Sequence, residues 1–386
     1  MYWRDKMKEL FICDTPYQLL NVLNIVFHDY DIDTDEKCVT RDLYIINQFK
    51  SASNLKDRIA EKNIFSHVYL LKKDDTKFMK VGIKRHIRMS ADFLGPRTFL
   101  SKRFKDYDMS QLSYEDYDVV YASGAFSTVA AILKINPRAK FILYDDGLGS
   151  YSGDFLIRSS GGKLNRAFCM LFHVGSYVCK PEKLLINNVS ICHSTSVKKE
   201  DIYPLPSFDK SFVEFCNEIF DCVDVDNKKI VWLSQPMDCS VGAMETRDLV
   251  RDVLLNFKKD ITVRMHPRDL DKEYYQAFNI DDGKDLWELS ILNRNPEELI
   301  LLGSYSSAQI TPKILFDFEP TLVFLFLLNS QTSTEEKTTL MEKVKEIKSI
   351  YKYPDRVFVP NDRHELAGIL KTMIIEKTSF ETVRLR

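Results

Sequence analysis

The segment ELFICDTPYQLLNVLNIVF, from Glu9 to Phe27, joins a short strand to a helix. The run ELFICD is typical of a short buried strand that stops at Asp14. Pro16 then falls in the first turn of the predicted helix, where its fixed φ suits the helix and its missing N–H is not needed. A strand that leads directly into a helix is the unit from which parallel sheets are built.

The same alternation of strands and helices continues along the chain. Further strands are predicted at 42–47, 67–71, 118–124 and 140–146 and, after a less regular region from about 153 to 205, at 228–236, 261–267, 298–303, 321–327 and 356–359. We therefore predict an α/β fold of the GT-B type, with two Rossmann-like, doubly wound domains that face a central cleft. The predicted domains are 1–205 and 229–386, joined by a linker at 206–228, and the last helix is a candidate to pack back on the first domain.

Length and composition fit a folded protein of two domains. The chain has 386 residues, 45% of them hydrophobic, and a net charge of −2, which gives no general attraction for nucleic acid. No two of its eight cysteines form a CxxC pair, which disfavours zinc and favours reduced thiols. The charged start MYWRDKMKEL is unlike a secretory signal, and no apolar run reaches the roughly 20 residues of a membrane span. We expect a cytoplasmic protein.

One segment has a strong local charge bias. Between Lys77 and Lys105 there are nine Lys or Arg residues and a single acid, Asp92, with apolar side chains among them. The segment fits a solvated amphipathic helix and loop. It also fits a peripheral contact with an anionic membrane surface or an anionic acceptor.

Polar residues follow four of the predicted strands. They are Asp145 and Asp146, Gln235 and Pro236, His266 and Pro267, and Gly303 to Ser307. In open parallel sheets ligands bind at the carboxyl ends of the strands. The four groups therefore predict one shared site rather than four separate turns.

The stretch YDDGLG, at residues 144–149, carries two adjacent carboxylates. One can reach the site as a base or an acceptor ligand, and the other can hold the loop through backbone N–H groups. Gly147 permits a positive φ and a close approach of the acceptor. A plain Asp-Gly turn is the alternative.

The pair His266-Pro267 and the serines 306 and 307 suggest an anion site. An imidazole held at a strand tip can donate to a phosphate and act as general acid near neutral pH, and Arg268 adds a fixed positive charge. Ser306 and Ser307 fall at the start of a predicted helix, where free N–H groups bind phosphate. A turn-capping histidine and an ordinary N-cap are the alternatives.

Neither a metal nor a cofactor is expected. The DxD strings in DYDIDTDEK and DCVDVDNKK, at 29–37 and 221–229, lie in polar turns before strands rather than at strand ends. No Walker A loop and no GxGxxG occurs. This pattern favours a donor with a single phosphate, such as a nucleoside monophosphate sugar.

YDDGLG, HPR and SYSS, in this order, resemble the motifs of bacterial sialyltransferases, most closely those of the lipooligosaccharide sialyltransferases of glycosyltransferase family 52. The resemblance implies that 1–205 is the acceptor side and 229–386 the nucleotide-sugar side. It implies an inverting transfer of sialic acid from CMP-sialic acid to a terminal sugar of a bacterial surface glycan, lipooligosaccharide or capsule, without a metal. The partners would be the donor and the glycan, with no nucleic acid, and a homodimer and a peripheral contact with the inner membrane are open expectations.

The resemblance also implies roles for individual residues. His266 would meet the departing phosphate, and Asp238 or Asp145 would be the base, a choice that the sequence leaves open. The residues implied to bind donor or acceptor are Asp146, Gly147, Gln235, Pro236, Pro267, Arg268, Glu288, Gly303, Ser306 and Ser307. Two alternatives remain: the same fold with another nucleotide donor, as in a hexosyltransferase or a CDP-alditol phosphotransferase, and a non-catalytic subunit of glycan assembly.

Overall fold

The computed structural model divides the chain into two compact units, Met1–Asp221 and Cys222–Arg386. The structure describes residues 7–28, 39–49, 51–72, 117–124, 127–153, 179–222, 229–235, 243–266, 268–269, 271–282 and 286–384. The basic segment from Lys77 to Lys105 lies outside these ranges, so the two interpretations of it stay predictions.

The first unit is built on a sheet of seven parallel strands. Its strands are β1 (Met7–Cys13), β2 (Val39–Asn47), β3 (His67–Lys72), β4 (Val119–Ala122), β5 (Lys140–Tyr144), β7 (Lys183–Ile186) and β9 (Ile202–Pro204), and β6 (Ser152–Gly153) pairs separately with β8 (His193–Ser194). The strand order is β3-β2-β1-β4-β5-β7-β9, and every pairing is parallel. The order reverses at β1, which makes the junction of β1 and β4 the switch point of a doubly wound sheet.

Helices supply the connections that parallel strands require. Those in the described part of the first unit are α1 (Pro16–Phe27), α2 (Ala52–Glu61), α3 (Ser127–Ile135) and α4 (Lys210–Phe220). Thr15 caps α1 by accepting a hydrogen bond from Gln18 N at 3.2 Å, and Pro16 occupies the first turn as predicted. The apolar side chains from Leu10 to Cys13 are fully buried, because this central strand is covered on both faces.

Helix α4 corrects the predicted domain boundary. Its N-cap Asp209 accepts from Phe212 N at 2.8 Å, and Phe212, Cys216 and Ile219 bury one face of the helix. Arg58 of α2 donates to Ile219 O at 3.1 Å, which ties the helix to the first unit. The predicted linker 206–228 therefore begins too early, because the first unit continues to Asp221.

The region predicted to be irregular, 153–205, also contains more structure than expected. Strand β7 pairs with β5, and β9 pairs with β7, so both extend the first sheet. Both strands are short, and β9 ends in a proline. Their hydrophobic pattern and length therefore did not predict strands.

The second unit repeats the same plan with six parallel strands. They are β10 (Ile230–Leu233), β11 (Ile261–Arg264), β12 (Asn279–Asp281), β13 (Ile300–Gly303), β14 (Thr321–Phe324) and β15 (Val357–Phe358). Their order, β12-β11-β10-β13-β14-β15, is the Rossmann order 3-2-1-4-5-6. The predicted fold class, an α/β chain of the GT-B type with two Rossmann-like domains, is confirmed by these two sheets.

Among the residues of the second unit that the structure describes, five α-helices accompany the sheet. They are α5 (Ala243–Leu254), α6 (Trp287–Leu292), α7 (Ser307–Phe316), α8 (Thr334–Ile350) and α9 (Arg363–Arg384). Leu366 and Leu370 of α9 are fully buried in the core of the second unit, and the packing of this helix on the first domain stays a prediction. No helix in the described ranges is both long and apolar enough to cross a membrane.

Candidate active site

Asp145 follows β5 and is fully buried. Its carboxylate accepts hydrogen bonds from Gly147 N at 2.7 Å, Tyr151 Oη at 2.7 Å, Asn187 N at 3.2 Å and Asn187 Nδ2 at 3.1 Å. Burial raises the pKa of the Asp145 carboxyl, and these hydrogen bonds oppose the rise. Because this group is enclosed and its oxygens are occupied, it braces the loop, and the predicted role of Asp145 as base does not fit its position.

Gly147 is required by the same turn. Its φ is +89°, a conformation that side chains rarely adopt, and its N–H closes the turn onto Asp145. Ser150 N donates to Gly147 O at 2.9 Å. The backbone geometry explains this glycine without a ligand.

Asp146 is the exposed member of the acid pair. Its Oδ1 accepts from Gln18 Nε2 at 2.6 Å, and its backbone N donates to Ser150 Oγ at 2.9 Å. Partial desolvation, with the nearby carboxylates of Asp14 and Asp145, raises the pKa of Asp146 to about 6, although the Gln18 hydrogen bond opposes the shift. A carboxylate with such a pKa is suited to take a proton near neutral pH.

Gln18 and Asp14 lie beside Asp145 and Asp146, and the sequence analysis did not predict them as site residues. Asp14 N donates to Gln18 Oε1 at 2.7 Å, which fixes the orientation of the Gln18 amide and aims Nε2 at Asp146. Gln48 Nε2, after β2, lies 3.4 Å from Asp14 Oδ2. The carboxyl ends of β1, β2 and β5 thus hold one polar cluster, and the signal for it in the sequence was Asp14, directly after the first strand.

In the second unit, His266 follows β11 and is held on both sides. Its backbone N donates to Ser234 Oγ at 2.9 Å, and its Nδ1 accepts from Arg268 N at 3.1 Å. Since Nδ1 acts as the acceptor, the neutral ring carries its proton on Nε2. Arg268 itself is exposed, and Pro267 lies outside the described residues.

Ser306 is the N-cap of α7, as its helix-start pattern predicted. Its Oγ accepts from Ala308 N at 3.3 Å, and Gln309 Oε1 accepts from Ser306 N at 3.1 Å, which completes a capping box. A hydroxyl that accepts in this way still has its O–H to donate. Ser307 is exposed in the first turn of the helix.

Gly303 has a packing reason that the sequence did not reveal. A Cβ at this position would lie 2.7 Å from Gln309 Oε1. Gln309 is fully buried and donates through Nε2 to Leu301 O at 3.3 Å and Val323 O at 3.1 Å. The absence of a side chain at 303 therefore makes room for the capping glutamine, and no ligand is needed to explain it.

Glu288 lies near the same helix start. It is half-buried in the first turn of α6, and its neighbour Trp287 donates through Nε1 to Ala308 O at 2.9 Å. This bond brings the first turn of α6 to the first turn of α7. The structure thus places Glu288, Ser306 and Ser307 in adjoining turns of one unit.

Gln235, after β10, is half-buried and lines a cavity at the carboxyl ends of β10 and β13. Pro236 and Asp238, which follow it, lie outside the described residues, so the role of Asp238 as base stays a prediction. No group of three or more potential metal-binding side chains occurs in the described ranges.

Comparison with known proteins gives distant likenesses only. No family model matches the chain, and no curated protein does. A putative UDP-N-acetylglucosamine 2-epimerase from Listeria monocytogenes is 8% identical, with 97% of this chain and 89% of that chain covered and a TM-score of 0.48. Anabaena HepE in complex with UDP and glucose is 11% identical over 96% of this chain and 91% of its own, with a TM-score of 0.42. The E. coli ADP-heptose lps heptosyltransferase II is 7% identical over 96% and 100%, with a TM-score of 0.39.

Proposed function

We propose that the chain is an inverting glycosyltransferase that moves sialic acid from CMP-sialic acid to a terminal sugar of a bacterial surface glycan, without a metal. The observation that carries the proposal is in the second unit. The histidine and the two serines predicted for the donor phosphate follow β11 and β13, which flank the central strand of a sheet in Rossmann order. Such strand ends are where open α/β sheets bind nucleotides.

The donor chemistry follows from the hydrogen bonds of His266. With Nδ1 accepting from the Arg268 backbone, Nε2–H is the ring's donor, and it meets the charge that grows on the CMP phosphate as the glycosidic bond breaks. The hydroxyls of Ser306 and Ser307, at the start of α7, add donors for the same oxygens. Glu288 binds the ribose hydroxyls in this scheme.

On the acceptor side we assign the base role to Asp146 among the described residues. Asp146 is an exposed residue at a strand end, the pKa of its carboxyl is raised to about 6, and Gln18 holds the carboxyl in one orientation. The acceptor hydroxyl loses its proton to this carboxylate and attacks the anomeric carbon, while CMP leaves from the opposite face. Asp145 positions the loop that carries the base.

The test is a donor panel with chelator present. We expect release of CMP from CMP-sialic acid, stimulated by a glycan acceptor with a free terminal sugar, with EDTA in the buffer and with no turnover of UDP-, ADP- or GDP-sugars. His266→Ala, purified in the same way, excludes a contaminating transferase if it removes the activity. Turnover of a UDP- or ADP-sugar in place of CMP-sialic acid would overturn the donor, and activity restored only by Mn²⁺ or Mg²⁺ would overturn the metal-free mechanism.

A further inference from the structure

The cavity beside Gln235 lies at the switch point of the second sheet. Strand β10 is central, with β11 on one side and β13 on the other. After β10 the chain continues to β11 on one side, and after β13 it continues to β14 on the opposite side. A crevice forms where neighbouring connections diverge in this way, and it is the usual ligand position of a doubly wound sheet. None of the groups assigned to donor binding above, apart from Gln235, lines this cavity.

The cavity is small and mixed in character. Its volume is about 60 Å³. A water needs roughly 10–15 Å³ on this scale, so the space suits a compact group such as phosphate or carboxylate rather than a nucleoside. Its polar walls come from Gln235, Ser304 and Asn329 and its apolar walls include Trp232 and Leu325.

Arg247, on α5, also lines the cavity, and its guanidinium is incompletely paired. The residue is only 9% exposed. Its Nη2 donates to Asp271 Oδ2 at 2.8 Å, and its Cζ lies 3.4 Å from the centre of the Tyr274 ring. In the part of the chain that the structure describes, Nε and Nη1 are buried and have no hydrogen-bond partner.

Unpaired guanidinium nitrogens in the interior are a costly arrangement. An arginine stays charged in proteins, and a buried N–H that has lost water costs free energy unless an acceptor replaces it. Asp271 is 48% exposed and takes only one of the three nitrogens, so it does not neutralise the whole group. An oxyanion in the adjacent cavity would supply the missing acceptors with the charge that arginine binds best.

We propose that Arg247 and the switch-point cavity bind an oxyanion, and that in the enzyme this oxyanion belongs to the nucleotide donor's phosphate. The second half of the proposal rests on the proposed function; the first half does not. Arg247 contributes to the wall of the cavity, and its Nε and Nη1 are the donors that the anion would satisfy. Ser304 and Asn329 are placed to donate to the same anion from other walls.

A neighbouring arginine on α5 provides a matched control. Arg251 also lies over the Tyr274 ring, with its Cζ 5.0 Å from the centre, and its Nε donates to Tyr274 O at 3.2 Å. It is not among the residues that line the cavity. Arg247→Met and Arg251→Met therefore both replace a cation beside Tyr274 by an unbranched side chain, and only the first changes the cavity.

The experiment measures dissociation constants of CMP, UDP and cytidine by titration calorimetry for the full chain and both variants. We expect Arg247→Met to raise the dissociation constant of the nucleotide that the wild type binds by about ten-fold or more. A change of this size corresponds to the loss of a hydrogen bond to a charged group. Cytidine, which lacks the phosphate, should bind the two proteins equally, and Arg251→Met should bind all ligands as the wild type does. Equal weakening of CMP and cytidine, or no weakening, would overturn the proposal.

Two further measurements separate this proposal from the proposed function. If UDP binds in place of CMP and shows the same dependence on Arg247, the sialic acid donor is wrong and the oxyanion site stands. If no nucleotide binds, inorganic phosphate is the probe: thermal stabilisation by phosphate that Arg247→Met loses supports the site, and none in the wild type overturns it. Should Arg247→Met fail to fold, the dissociation constants of CMP and cytidine are measured for Ser304→Ala instead. Weaker binding of CMP alone supports the site, and equal weakening of both ligands or no weakening overturns it.

Discussion

Gln18 Nε2 donates to Asp146 Oδ1 at 2.6 Å, across 128 positions of sequence. The bond joins the first turn of α1 to the loop after β5, at the edge of the first sheet where ligands bind. The opposite end of the same amide accepts from Asp14 N at 2.7 Å. The glutamine therefore orients the carboxylate and lowers its pKa, against the larger rise that burial causes.

This relationship predicts the pH dependence of transfer. Asp146 must be ionised to act as base, and its pKa is about 6, so kcat/KM should fall as pH drops below about 6. Gln18 stabilises the ionised form, so Gln18→Leu should raise that pKa and move the acid limb to higher pH. The measurement is a pH profile of kcat/KM with saturating donor. Asp146→Asn should abolish transfer and spare slow hydrolysis of the donor.

Gln48→Leu is the control for that profile, because Gln48 donates to Asp14 and not to Asp146. Its acid limb should move less than that of Gln18→Leu. An acid limb that stays in place in Gln18→Leu, or an active Asp146→Asn enzyme, would show that another group is the base. Asp238 is then the next residue to test.

The buried carboxylate of Asp145 predicts an effect on stability rather than on chemistry. Asp145→Asn keeps the shape but replaces one oxygen acceptor by an NH₂, which would face either the N–H of Gly147 at Oδ1 or the donors of Tyr151 and Asn187 at Oδ2. We expect a loss of about 1–3 kcal/mol in the free energy of unfolding, the usual cost of a buried unsatisfied group. Urea denaturation of both variants measures it, and Asp146→Asn, which removes a carboxylate whose charge the fold disfavours, should be as stable as the wild type or more stable at neutral pH.

An Asp145→Asn protein of normal stability that cannot transfer would contradict this assignment. Such a result would return Asp145 to the base role that the resemblance implied. A variant that is destabilised and still turns over after correction for the folded fraction would confirm that the residue braces the loop.

The sequence predicts the fold well because the same pattern of strands and helices repeats along the chain. Apolar strands that end in polar residues recur in both halves, and each half folds as a parallel sheet with its polar residues at one edge. Pro16 begins its helix, and Ser306 begins another, as their local preferences require. Strands β7 and β9 were not predicted, because runs of four and three residues are too short to show a hydrophobic period.

The division of roles between Asp145 and Asp146 could not be predicted from the sequence. It depends on Tyr151 and Asn187, which reach the carboxylate from later in the chain and enclose one of two adjacent acids. The same holds for Arg247, whose missing partners become visible only when the burial of each nitrogen is known. Contacts between distant positions decide both features, and no local pattern encodes them.

Gly303 offers a test of the packing around the capping glutamine. In Gly303→Ala the new Cβ would meet Gln309 Oε1 at 2.7 Å, so the buried glutamine must shift and weaken its bonds to two strands. We expect a loss of about 1–3 kcal/mol in unfolding free energy, the range for overpacked cores. Gly368→Ala, in α9 with no atom within 4 Å of the new methyl group, should be neutral or stabilise by up to about 1 kcal/mol.

If Gly303→Ala is as stable as the wild type but loses donor affinity, the glycine belongs to the binding site, as the resemblance implied. Loss of stability with donor affinity unchanged in the folded fraction would confirm the packing role.

His266 carries the last prediction, which concerns departure of the nucleotide. Its Nδ1 is occupied by the Arg268 N–H, so Nε2 is the atom that assists the leaving phosphate. His266→Ala should lower kcat by about 10²–10⁴-fold, the range for general acid catalysis, and should change the CMP dissociation constant much less. His364→Ala, at an exposed position in the first turn of α9, is the matched control and should keep full activity. A variant with normal kcat and only a raised KM would show that His266 binds the donor without assisting its departure. Because a donor that leaves without help needs no acid, a leaving group of low pKa should restore part of the rate to His266→Ala, and the absence of such rescue would count against the acid role.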